Sequence, residues 1–120
     1  MKILVADDSR VMRQIVIRTL RQAGFGDHDI VEAADGAAAH GAIGAERPDL
    51  VLSDWNMPGM TGIELLRSVR TAGNEVPFGF VTSECSDEMR RTAEAGGALF
   101  LIAKPFTADV FRDQLTKILG

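Results

Sequence analysis

Leu50-Val51-Leu52-Ser53, followed at once by Asp54, is the run that decides the fold. Its apolar residues are successive rather than alternate, so a strand made from it has no solvent face and needs cover on both sides. That pattern belongs to a parallel sheet held between two layers of helices. Residues 3–6, 30–34, 78–81 and 99–103 form further runs of strand length, most of them also apolar at successive positions.

Outward from these runs, helical spacing fills the intervals. Residues 9–23 set Met12, Ile15, Val16, Thr19 and Leu20 at helical intervals, with Gly24 as the stop. Thr61-Gly62-Ile63-Glu64 reads as a capping box, with Leu65, Leu66 and Val69 behind it and Gly73 at the end. Thr107 opens a last helix in which Phe111, Leu115, Ile118 and Leu119 share one face. Two helices have little to bury. Residues 35–44 are mostly Ala and Gly around Ile43, and residues 86–95 offer Met89, Ala93 and Ala95 as anchors. The latter helix is expected to be the most easily displaced.

The resulting order is βαβαβαβαβα within one domain, residues 1–120, and each crossover is long enough for a right-handed parallel connection. Five strands and five helices match an α/β, flavodoxin-like, doubly wound parallel sheet of strand order 2-1-3-4-5. Such sheets bind ligands beyond the carboxyl ends of their strands, near the switch in winding direction.

Composition narrows the class. A chain of 120 residues supports a single layered core, and 46% apolar with 25% charged residues is ordinary for a globular protein. No apolar run approaches the length of a bilayer span, so no membrane insertion is expected. The start, one Lys and then four apolar residues, is not a secretory signal peptide. Cys85 is the single cysteine and cannot form an internal disulfide, which fits a cytoplasmic location. A formal charge of −4 counts against direct binding of nucleic acid.

The strand ends carry the chemistry. Strand one ends in Asp7-Asp8, strand three in Asp54, strand four in Thr82 and strand five in Lys104-Pro105. One edge of the sheet thus gathers three carboxylates, a hydroxyl and an ammonium. Acids so placed raise one another's pKa unless a cation intervenes, and an all-oxygen donor set suits Mg²⁺. A carboxylate can attack phosphorus to form an acyl phosphate when metal and cationic groups neutralise the incoming charge. Lys104 offers a compact cation to one phosphoryl oxygen and Thr82 a hydroxyl to another.

Val5-Ala6-Asp7-Asp8-Ser9, the stretch from Ser53 through Asp54-Trp55-Asn56-Met57-Pro58 to Gly59, Thr82, and Lys104-Pro105-Phe106 occur in this order. From Lys2 to Leu119 the chain resembles the receiver domains of two-component response regulators, and most of all their CheY-like, single-domain chemotaxis branch. The resemblance implies that Asp54 is the phosphoacceptor. It implies that Asp8, Asp54 and the backbone carbonyl of Asn56 bind Mg²⁺ directly, with Asp7 acting largely through water. Thr82 would be the switch hydroxyl and Lys104 the phosphate-binding cation, its bond to Pro105 being cis in similar proteins. Asn56 and Glu84 would flank the attacking water and tune the lifetime of the phosphoryl group.

By the same resemblance, the phosphodonor is a histidine kinase or a histidine phosphotransfer protein, and the chain catalyses only its own phosphorylation and dephosphorylation. With no effector domain after Gly120, output is expected through direct binding of another protein. The flagellar motor switch is the target the resemblance suggests, beside other targets or a phosphorelay sink.

The chain also departs from similar proteins. Leu101 occupies the conformational switch position, three places before Lys104, where they carry an aromatic; Phe100 is expected on the opposite face of the sheet. Ser83 replaces a smaller residue, narrowing access to the phosphate or adding a hydrogen bond. Gly79 weakens strand four and marks a close packing contact.

Other residues read as ordinary. His28 and His40 have no partners at ligand spacing, Cys85 is a small residue beyond the site, and Arg10, Arg13, Arg18 and Arg21 read as a solvated helix face. The alternative function is a degenerate receiver that binds a partner without phosphorylation, against which the full set of acids, hydroxyl and lysine counts. A flavodoxin would need a Ser/Thr/Gly-rich loop after strand one, and a haloacid-dehalogenase-type phosphatase would need its acids two residues apart. No P-loop or dinucleotide fingerprint is present.

Overall fold

Strands and helices alternate as β1 (Lys2–Ala6), α1 (Arg10–Leu20), β2 (Asp29–Ala33), α2 (Gly36–Glu46), β3 (Leu50–Ser53), α3 (Gly62–Thr71), β4 (Phe78–Thr82), α4 (Asp87–Ala95), β5 (Phe100–Ala103) and α5 (Ala108–Leu119). The structure, a computed structural model, describes residues 1–119, with side chains through residue 118. Every strand pair is parallel, and the sheet order is β2-β1-β3-β4-β5. This is the expected doubly wound arrangement, with β1 and β3 at the switch in winding.

Alternation along the strands sorts side chains into two cores. Leu4, Ala6, Val51, Phe78, Phe80 and Leu101 face α2, α3 and α4, where they meet Ile43, Ile63, Leu66 and Ala93. Ile3, Val5, Leu50, Leu52, Val81 and Ile102 face α1 and α5, where they meet Val16, Leu20, Phe111 and Leu115. Phe100 joins this second core, opposite to Leu101, as the period of two requires. Gly79 pairs with Phe100 across the sheet, and a Cβ at Gly79 would overlap the Phe100 ring. The close contact expected at Gly79 is therefore this ring.

Local chemistry sets the helix starts. The side chains of Ser9, Asp35 and Ser86 accept from the backbone N–H groups of Met12, Ala38 and Met89 respectively. Thr61 and Glu64 form the reciprocal capping box. The Thr107 hydroxyl accepts from the Val110 N–H at 3.4 Å, a weaker cap. Leu119's side chain, assigned to the apolar face of α5, lies outside the described residues.

Several boundaries differ from the sequence reading. Gly24 adopts φ +100° as a stop would, yet the chain continues through a wide turn, Arg21–Phe25, because Phe25 is drawn into the core. Helix α2 runs on past Gly44 to Glu46 and ends at Arg47, which takes the left-handed φ of 49° usually left to glycine. β2 is an edge strand with only Ala33 fully buried, so cover on both faces does not extend to it. Leu99 precedes β5 and is 56% exposed. Helix α4 fully buries Ala93 alone, in keeping with its expected weak hold.

Candidate functional site

Three of the site residues are the next rungs of the sheet. Asp7 N–H donates to the Ala33 carbonyl at 3.1 Å, Asp54 N–H to Ala6 at 2.9 Å, and Lys104 N–H to Thr82 at 2.8 Å. The ladder that orders the strands therefore also fixes where these side chains begin. The Lys104–Pro105 bond is cis.

The acids converge. Carboxylate oxygens of Asp7, Asp8 and Asp54 all lie within 4.8 Å of one another. Lys104 Nζ stands between two of them, 3.0 Å from Asp7 Oδ2 and 3.6 Å from Asp54 Oδ2. Asp7 is buried and both its oxygens are engaged, since Oδ1 accepts from the Ser9 N–H at 2.9 Å. Asp54 is half-buried, and its Oδ1 accepts from the Trp55 N–H at 2.8 Å. Asp8 is exposed. Burial, more than any other cause, holds the Asp54 carboxyl above its ordinary range. Lys104 and the Trp55 N–H pull it back, while Asp7 and Asp8 push it further up.

Three carboxylates against one ammonium leave an excess of negative charge, and the donors are all oxygens, so a hard divalent cation fits.

The other expected residues are placed as follows. Thr82 is fully buried at the end of β4, beside Lys104, and its hydroxyl accepts from the Glu84 N–H at 3.4 Å. Asn56 and Glu84 are exposed on their loops and have no side-chain hydrogen bond to the acids among the described residues. Ser83 is exposed. Leu101 is buried in the core shared with α3 and α4, in register with Phe80.

Three contributors escaped the sequence reading. Arg13 is not solvated: its guanidinium donates to the Asp7 backbone carbonyl at 2.7 Å and pairs with Glu32 at 3.0 Å. Its spacing from Ile17 and Leu20, both buried, was the available signal. Gly62 lies so close under the site that a Cβ there would overlap the Asp54 carbonyl oxygen and crowd the Phe80 ring. Trp55 packs against that same ring, tilted by 45° with centroids 4.8 Å apart.

Fold and site together define an acid-rich pocket, compatible with a hard cation, on the carboxyl edge of a doubly wound sheet. The sequence pattern of the response regulator receiver domain matches residues 3–116, and the chain belongs to that family. It is 40% identical to chemotaxis protein CheY of Pseudomonas aeruginosa, over 98% of this chain and 95% of that protein. It is equally 40% identical to chemotaxis protein CheY-3 of Vibrio cholerae, over 98% of this chain and 91% of that one. Among solved structures, CheY4 of Vibrio cholerae superposes with a TM-score of 0.85 at 35% identity, covering 98% of this chain and 97% of that chain. The receiver domain of the NarL regulator of Mycobacterium tuberculosis gives 0.84 at 28% identity, covering 97% and 93%. The chain is thus a receiver domain homologous to CheY, consistent with a phosphoacceptor response regulator, and nothing in these likenesses favours a degenerate one. No helix among the described residues is long and apolar enough to cross a membrane.

Proposed function

We propose that Asp54 accepts a phosphoryl group from a phosphohistidine of a histidine kinase or phosphotransfer protein, and that the phosphorylated chain binds a protein target in chemotaxis-type signalling. The observation that carries this reading is the convergence of Asp7, Asp8 and Asp54, with Lys104 paired to Asp7 and Asp54. Asp8, Asp54 and the Asn56 carbonyl would hold Mg²⁺, with Asp7 behind water. The bound ion would supply charge neutralisation between the acceptor carboxylate and the phosphoryl oxygens. An oxygen of Asp54 attacks phosphorus, the O–P bond forms as the P–N bond to histidine breaks, and the electron pair leaves with the imidazole. Lys104 turns from the two carboxylates toward a phosphoryl oxygen. Asn56 and Glu84 flank the water that later hydrolyses the acyl phosphate.

Output follows from differential contacts. The Thr82 hydroxyl, held by a 3.4 Å contact from the Glu84 N–H, turns inward to the phosphate. The loop carrying Glu84 and the weakly anchored α4 follow it, and Leu101 adjusts its rotamer beneath them. Beryllofluoride with Mg²⁺ is expected to change hydrogen-exchange protection across Asp87–Ala95 more than across α3; equal protection in both states would sink this route.

Trp55 provides the test of the site itself. It is the only tryptophan and adjoins Asp54, whose carboxylate its backbone N–H meets. Mg²⁺ is expected to change its fluorescence, and beryllofluoride to change it again in a second stage. A signal flat to both additions, together with no phosphate adduct from acetyl phosphate, would overturn the assignment.

A further inference from the structure

We propose that Arg13 is a positioning residue for the cation site, fixing the peptide between Asp7 and Asp8 so that their carboxylates point to different places. The inference rests on the phosphoacceptor reading above and adds a residue to it.

Arg10, Arg18 and Arg21 are exposed and form no ion pair among the described residues. Arg13 is different: only 13% of its side chain is exposed. Its Nη1 donates to the carbonyl oxygen of Asp7 at 2.7 Å, which is the oxygen of the Asp7–Asp8 peptide. Its Nε meets Glu32 Oε1 on β2 at 3.0 Å, and Gln14 donates to the same oxygen at 3.3 Å. On its other side, the Asp7 N–H is held by the Ala33 carbonyl. The backbone of Asp7 is thus held at both its N–H and its carbonyl. With that peptide plane fixed, Asp7 turns inward to Lys104 and Asp8 stays at the solvent edge.

Two opposite effects on a cation can be separated. As a bare positive charge near three carboxylates, Arg13 repels a divalent ion, so its removal would tighten binding. As a tether of the peptide, it keeps the acids in a binding arrangement, so its removal weakens binding. Glu32 offsets the charge and leaves the tether, which makes the second effect the larger one.

The test uses the full chain and Mg²⁺ alone, followed by Trp55 fluorescence at constant ionic strength, beside urea unfolding. Arg13→Met is expected to weaken Mg²⁺ binding roughly tenfold, the usual cost of losing a group that orients metal ligands. Arg13→Lys keeps the charge and one donor and is expected to fall between Met and wild type. Tighter or unchanged binding in Arg13→Met overturns the proposal, including when its urea midpoint falls, because a fold strut alone would lower stability without moving Mg²⁺ affinity. A Lys variant as weak as Met also overturns it. If wild type itself fails to bind Mg²⁺, the phosphoacceptor reading falls as well; if wild type binds and Met matches it, only the role of Arg13 falls.

Discussion

Replacing Asp54 by Asn is expected to abolish the phosphate adduct that acetyl phosphate and Mg²⁺ leave on the wild-type chain, as read by mass spectrometry. The amide is nearly isosteric and can still accept the Trp55 N–H, so the fold should persist while the nucleophile is lost. The same variant is expected to melt at a higher temperature than wild type when both are metal-free at neutral pH. The sign follows from linkage. Asp54 has a raised pKa in the folded chain, so ionising it costs more there than in the unfolded chain. Wild type loses that stability as pH rises from the ordinary carboxylate range through the folded pKa, whereas Asn does not titrate. The gain should therefore shrink as pH is lowered. Mg²⁺ should stabilise wild type more than the variant, narrowing the gap from the other side. A variant that still acquires phosphate on residue 54, or one that melts lower at neutral pH, contradicts the geometry of the acid cluster.

Gly62→Ala is expected to destabilise the chain by about 1–3 kcal/mol and to slow phosphorylation by far more than the unfolded fraction explains. Ala is ordinarily the better helix residue by about 1 kcal/mol, so a loss here is informative. The added methyl would meet the Asp54 carbonyl oxygen and the Phe80 ring, and a backbone carbonyl cannot swing aside as a flexible side chain can. The Gly62 N–H also donates to the Trp55 carbonyl at 2.7 Å, so relief at either point shifts the peptides that carry Asp54. A reacting group misplaced by about 1 Å can lose about a hundredfold in rate. Gly41→Ala is the control: beyond its chain neighbours and the backbone of its own helix, no described atom lies within 4 Å of the added methyl, and it should stabilise α2 by about 0.5–1 kcal/mol without touching the labelling rate. Urea midpoints and acetyl phosphate labelling rates measure both. Gly62→Ala labelling at the wild-type rate would remove Gly62 from the description of the site.

The residues that sequence exposed best are those whose meaning is local. Leu50–Ser53 had to be a covered strand because it has no polar face, and Asp54 followed as a polar group at its carboxyl end. The same logic placed Asp7, Asp8, Thr82 and Lys104, because strand ends in a parallel sheet share one edge. Arg13 failed that test because its ion-pair partner is distant: Glu32 lies nineteen residues on and comes within reach only once β2 pairs with β1. Read alone, a charge on a helix looks solvated. Glu32 in an otherwise apolar run was the matching half of the signal, and neither half is interpretable without the other. Gly24 misled for a different reason. Its backbone does what a helix stop requires, but the pull of the core on Phe25 carries the turn onward. Arg47 in a left-handed conformation had no local cue, since nothing about Arg favours that geometry.

Gly79 and Phe100 share one allotment of volume, given wholly to one strand and withheld from its neighbour. To a mutating lineage they behave as a single locus. A bulky residue arriving first at 79 meets an occupied space, and a small one arriving first at 100 leaves a hole in the core beside α1 and α5. Each step alone is penalised, so the effect of a substitution at one position depends on the residue already present at the other. The order of mutations, rather than their sum, then governs which receiver sequences can be reached from this one.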